Sequence, residues 1–135
     1  MSDGTLRALG LLMAVFQTPA PSVLVIEEPE ATIHPGALGA VLDLISRASK
    51  TMQVIVTTHS PELLDASWIK DEYLRIVAWE KGASHILLPD DASRKVMKEH
   101  LMGAGELLRS NALNPSPLFK KEQDLGTNLL FEELE

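Results

Sequence analysis

Val23–Pro35, which reads V-L-V-I-E-E-P-E-A-T-I-H-P, is the stretch on which the fold turns. Val23, Leu24, Val25 and Ile26 are apolar and mostly β-branched, and they run straight into the carboxylates Glu27, Glu28 and Glu30. Unbroken apolarity over so short a run predicts a strand buried on both faces, as in a parallel sheet. Such a strand delivers the residues after it to the carboxyl edge of the sheet, where open α/β folds bind ligands. Two adjacent acids at that edge suit hydrolysis: one supports Mg²⁺ while the other orients or deprotonates a water. An E-E pair taken alone reads more readily as a polar strand cap, and it is the context that favours hydrolysis.

The same alternation of element types continues outward from this strand. Upstream, Leu6, Leu9, Met13 and Phe16 recur at helical spacing while Leu11, Leu12 and Val15 fill other faces. That pattern predicts a helix over residues 1–17 buried nearly all round, with Ser2 or Asp3 as its N-cap. Thr18–Ser22, T-P-A-P-S, is a breaker-rich loop. Downstream, Pro35 opens a helix whose apolar face is Leu38, Val41, Leu42 and Ile45, running to about Ala48. Met52–Thr57 reads as a second buried strand, and Ser60-Pro61 as the cap and first residue of a short helix through Asp65. Two β-α units in succession predict parallel strands with right-handed crossovers. Tyr73–Trp79 and Ser84–Leu88 flank E-K-G-A and read as a hairpin. Short helices come next, over about 92–101 and 105–109, and residues 115–135 read as a loop or tail that is flexible or bound to a partner.

Composition narrows the class. A chain of 135 residues is one domain at most, and 45% hydrophobic residues supply ample material for a core. That apolarity is high beside 23% charged residues, which points to a face meant for a partner. The longest apolar stretch, 8–16, is too short to span a bilayer, and Met1-Ser2-Asp3-Gly4 lacks the basic start of a secretory leader. Zero cysteines exclude disulfides and thiolate metal sites, and fit a cytoplasmic protein. A net charge of −7 argues against broad nonspecific DNA binding by this segment, leaving DNA as a partner only through other parts of a complex.

Three motifs occur in one order: S-D-G-T-L-R from Ser2, then V-L-V-I-E-E-P-E-A-T-I-H-P, then V-I-V-T-T-H-S-P-E-L-L-D ending at Asp65. In this order they resemble the second half of an ABC-type ATPase domain. The match looks nearest to the SMC/RecF/OLD-like branch, with its AAA-like predicted ATPases. The implied fold is α/β: the C-terminal half of a P-loop NTPase (RecA-like) fold over residues 1–114, with parallel strands and flanking helices, then a β-hairpin and short helices.

The resemblance also implies roles. Ser2, Asp3, Gly4 and Thr5 match the signature motif, which meets the γ-phosphate of a nucleotide held by the opposing subunit of a homodimer. A capped helix start with a small hydroxyl and a glycine offers the N–H donors and positive dipole end for this, though without the other motifs it reads more readily as an ordinary cap. Glu27 matches the Walker B acid that holds Mg²⁺, here Glu where many members carry Asp. Its extra methylene bears on Mg²⁺ geometry, which is nearly octahedral. Glu28 matches the catalytic carboxylate, Glu30 through His34 the loop that crosses the dimer interface, and His59 the switch histidine. His34 reads as an N-cap or interface residue before a metal ligand.

No G-x-x-x-x-G-K-[ST] occurs, so no lysine stands in a phosphate-cradling loop. The expectation is therefore the C-terminal half of a split or truncated ATPase, needing ATP and Mg²⁺ together with the missing N-terminal half, and inactive alone. A different class, a non-catalytic interaction module derived from such an ATPase, is the main alternative. A nuclease built on Glu27, Glu28, Glu30 and His34 is the third, although the D-x-D signature of an appended Toprim domain is absent.

Overall fold

A computed structural model describes residues 3–31 and 33–117. The first helix, α1 (Asp3–Phe16), leads through the Pro-rich loop into β1 (Val23–Glu27). A 3-10 turn over Pro35–Ala37 opens α2 (Leu38–Ala48), and β2 (Gln53–Thr57) returns beside β1. The short α3 (Pro61–Leu64) and a second 3-10 turn, Asp71–Tyr73, precede the hairpin strands β3 (Ile76–Glu80) and β4 (Ala83–Leu87). Two further helices close the described chain, α4 (Asp91–Lys98) and α5 (Ala104–Arg109).

β1 and β2 pair in parallel, Val23 opposite Gln53 through Glu27 opposite Thr57, as the two successive β-α units require. β3 and β4 pair antiparallel, Ile76 opposite Leu87 and Glu80 opposite Ala83, across a two-residue turn at Lys81-Gly82. Both turn residues have positive φ (53° and 82°), the mirror-image geometry that matches strand twist. The hairpin is shorter than its apolar pattern suggests. Tyr73 belongs to the 3-10 turn, where the Leu74 amide bonds back to the Asp71 carbonyl.

Two sequence expectations are corrected. β1 is not buried on both faces: burial alternates along it and along β2, and Val25 is 64% exposed. α1 is not buried all round either, since none of its residues is buried and Phe16 is 71% exposed. The reason is common to both. Apolar sequence makes a surface worth burying, but burial needs a second layer. Among the described residues, Leu24, Ile26, Val54 and Val56 form the half-buried face of the sheet, and the face of Val23, Val25 and Ile55 is left open.

The core lies in two clusters. Val41, Ile45 and Ala48 of α2 are buried with Met52, just ahead of β2. Leu63 of α3 is buried, as are Ala104 and Leu107 of α5, and α3 and α5 pack directly on each other. Ser93, the one buried polar residue among those described, is satisfied: its amide donates to the capping carboxylate of Asp90, and its hydroxyl donates to the Ala112 carbonyl. Asp90 and Ser116 amides bond to Asn114 and Leu88 carbonyls, so residues 114–116 are tied to the start of α4. Residues 118–135, most of the stretch read as a tail, lie outside the described residues. No helix among the described residues is long and apolar enough to cross a membrane.

Candidate nucleotide-hydrolysis site

The parallel pairing sets the carboxyl ends of β1 and β2 side by side, with Glu27 opposite Thr57. The two strand-end loops are therefore brought together, E-P-E after β1 and T-H-S after β2. Glu27 is still on the strand and shares its exposed face with Val23 and Val25. Glu28 leaves the strand through a φ of 40°. For a side chain with a Cβ this left-handed turn costs roughly 1–2 kcal/mol, so the surroundings must hold it. They do: the Glu28 amide donates to the Thr57 carbonyl at 3.0 Å and also lies 3.3 Å from the Thr57 hydroxyl.

This turn aims the second carboxylate at the other loop. Glu28 Oε1 lies 3.4 Å from His59 Nε2, the imidazole being 91% exposed and the carboxylate about half so. Glu30 makes a second link. Its Oε1 accepts from the Thr58 hydroxyl and from the His59 amide, the latter at 3.3 Å. Its Oε2 is buried without a partner among the described residues. Thr58 in turn accepts from the Ser60 amide at 2.9 Å, and the Ser60 hydroxyl caps α3 by accepting from the Leu63 amide. Three carboxylates in four residues thus take three different directions: outward, toward His59, and into the backbone of the facing loop.

The sequence-predicted residues divide into two groups. Glu27, Glu28 and His59 come together at the strand ends. Asp3, Gly4 and Thr5 form the first turn of α1, and Ser2 lies outside the described residues. Gly4 and Thr5 border a groove of about 660 Å³ between α1 and α2, whose walls include Ile33, His34, Val41 and Leu44. His34 caps the turn that opens α2, its Nδ1 accepting from the Gly36 amide at 3.1 Å. That ring nitrogen is taken, as its reading as an N-cap anticipates.

Sequence reasoning passed over Thr57 and Thr58, and it read Glu30 with the acids and with the interface loop but not as the link to Thr58. The signal was there in kind: hydroxyls flanking the histidine and a third acid two residues past the pair. Only the register of β1 on β2 says that they meet.

Residues 1–65 match the family described as "AAA domain, putative AbiEii toxin, Type IV TA system". The matched segment is thus similar to AAA regions of the P-loop ATPase kind, for which dependence on nucleotide and Mg²⁺ is general. It runs from α1 to the end of α3 and takes in both strand-end loops, leaving the hairpin, α4 and α5 beyond it. No curated protein matches the chain significantly.

A divalent cation would find only part of its shell here. Among the described residues no group of three or more His, Asp or Glu side chains could hold a metal. A self-sufficient protein cage is not what these residues build. A single exposed carboxylate at a strand end does suit Mg²⁺, which takes one or two carboxylates and completes its shell with nucleotide phosphates and water.

Proposed function

We propose that this chain is the hydrolytic part of an ABC/SMC-like ATPase, its phosphate-cradling loop supplied by another segment or polypeptide, and that it works as a homodimer with Mg-ATP. One observation carries the reading: the approach of Glu28 Oε1 to His59 Nε2, 3.4 Å, at the carboxyl ends of adjacent parallel strands. An acid and an imidazole converging on the ligand-binding edge of an α/β sheet form a general-base pair aimed outward.

In this reading Glu28 takes the proton from the attacking water. The His59 imidazole, steadied at Nε2 by Glu28, turns its Nδ1 edge toward the terminal phosphate. Glu27 would contribute one oxygen to Mg²⁺, which when bound supplies charge neutralisation at the β- and γ-phosphates. Thr57, through its carbonyl and hydroxyl, holds Glu28 in its left-handed turn. Ser2, with the first turn of α1 from Asp3 to Thr5, would offer amides and a hydroxyl to a nucleotide on the opposing subunit. The grouping of Gly4 and Thr5 on a groove away from the strand-end acids supports that division of labour. Hydrolysis would drive dimer closure and opening, with DNA reached only through other parts of the assembly.

The deciding experiment is Glu28→Gln in the chain reconstituted with the subunit or segment that carries the phosphate loop. The amide is nearly isosteric but a poor base. ATP binding is retained and a closed dimer accumulates, while turnover falls by about 10²–10⁴. Unchanged turnover removes Glu28 from the role of base.

The other reading, a non-catalytic interaction module, is favoured by the exposed Leu6, Leu9, Met13 and Phe16 on α1. A partner that binds tightly and yields no nucleotide affinity when added would select it.

A further inference from the structure

The His59 side chain is 91% exposed, so packing does not hold the imidazole in place. Besides the Glu28 carboxylate, what positions it is the backbone to either side. On the N-terminal side the anchor is Glu30, which accepts from the Thr58 hydroxyl and the His59 amide. On the C-terminal side it is Ser60, whose hydroxyl donates to Glu62 Oε2 at 2.9 Å while capping α3. Glu62 is itself held from outside the matched segment: Arg109, in the last turn of α5, lies 3.3 Å from Glu62 Oε1 and donates to Asp65 Oδ2 at 2.7 Å.

The docking of α5 that brings Arg109 there is tight. A Cβ on Gly105 would run into the Pro61 carbonyl oxygen and the Asp65 carboxylate, and one on Gly103 would stand 3.1 Å from Asp65 Oδ1. Leu63 and Leu107 are buried in the two packed helices. Apolar contact and the glycine approach hold α5 against α3. The guanidinium fork, clamped on two carboxylates three residues apart, sets its register.

We infer that Arg109 is a positioning residue for His59, acting through Glu62 and Ser60. The C-terminal segment 104–109 is thereby part of the catalytic unit although it contributes no group to the reacting atoms. This role in a reaction rests on the ATPase reading above; the geometry it requires does not. An exposed ion pair adds little to stability. Loss of Arg109 should therefore displace His59 more than it lowers the melting temperature.

The test uses isotopically labelled full-length chain without nucleotide, so it stands apart from any failure of the ATPase reading. The readouts are the His59 imidazole resonances, the Thr58, His59 and Ser60 amide resonances, and the melting temperature. Arg109→Met shifts all of these resonances. Arg109→Lys, a point charge without the fork, gives intermediate shifts. Glu62→Ala, which removes an exposed side chain and both of its links, gives the full shift even if Arg109→Met folds poorly. Arg94→Met breaks the unrelated ion pair to Asp71 and serves as the control, lowering the melting temperature without moving residues 58–60. Shifts confined to α3 and α5 in Arg109→Met and Glu62→Ala would overturn the inference. Equal movement of residues 58–60 in Arg94→Met would do the same.

Discussion

Thr58 shows what a single hydroxyl does at this site. It donates to Glu30 and accepts from the Ser60 amide, so it joins the two strand-end loops. Replacing it by valine keeps the shape but strands the Ser60 amide and leaves Glu30 Oε1 only the His59 amide, its Oε2 already being buried and unpaired. Thr58→Val is expected to destabilise the chain by about 1–3 kcal/mol, with Thr58→Ser close to wild type; urea denaturation measures both. Equal stability of all three proteins would mean that water replaces the hydroxyl without loss. Glu62 gives a pH signature. Its own backbone hydrogen bond, then the Ser60 hydroxyl and Arg109, hold its carboxyl below the ordinary value of 4.5. A depressed folded-state pKa means that the unfolded chain binds the proton more readily. The stabilising contribution is therefore fully present above about pH 4.5 and is lost as pH falls through the folded value. Acid titration of wild type and Glu62→Gln should diverge in that window, with the variant showing the shallower loss. Parallel curves would show that the carboxylate is not linked to folding.

At the scale of elements, apolar sequence and burial come apart. Ile45 in α2 and Ile55 in β2 are the same residue type, but Ile45 is 3% exposed and Ile55 is 46% exposed. Truncation of a buried isoleucine leaves a cavity and costs about 2–5 kcal/mol. Ile45→Ala should fall in that range, and Ile55→Ala well below it, when each is measured on the chain alone. A large cost at Ile55 would mean that the open face of the sheet is covered in solution, by another copy of the chain or by residues outside 3–117. The capping residues are simpler, because they act through near neighbours in sequence. Ser60 caps α3, Asp90 caps α4, and Pro35 opens the turn before α2. Each does so with its own side chain or ring over three residues or fewer, which is why such starts can be read without the fold.

For the whole molecule the question is how much of an ATPase one chain of 135 residues contains. The described residues include an acid pair, a histidine and their supports, but no lysine stands in a glycine-rich phosphate loop. Binding and hydrolysis are separable on this account. Calorimetric titration of Mg-ATP into the purified chain should find no site tighter than roughly millimolar, about −4 kcal/mol. Micromolar affinity with steady phosphate release would require a phosphate site formed by other groups, and would end the divided-site proposal.

Sequence alone determined the elements whose causes are local. The 3.6-residue period of Leu38, Val41, Leu42 and Ile45, the Ser60-Pro61 start and the E-K-G-A turn each act within one helical turn or one hairpin. The order of the three motifs pointed to Glu27, Glu28 and His59 before any coordinate did. Tertiary structure decided what depends on a partner distant along the chain. It showed that Glu30 turns inward to Thr58 across 28 residues, and that Arg109 reaches back 47 residues to Glu62. It also showed that β1 and α1, apolar enough for burial, remain half open. Hydrophobicity records the drive to leave water, but whether that drive is met depends on which surface the fold sets opposite.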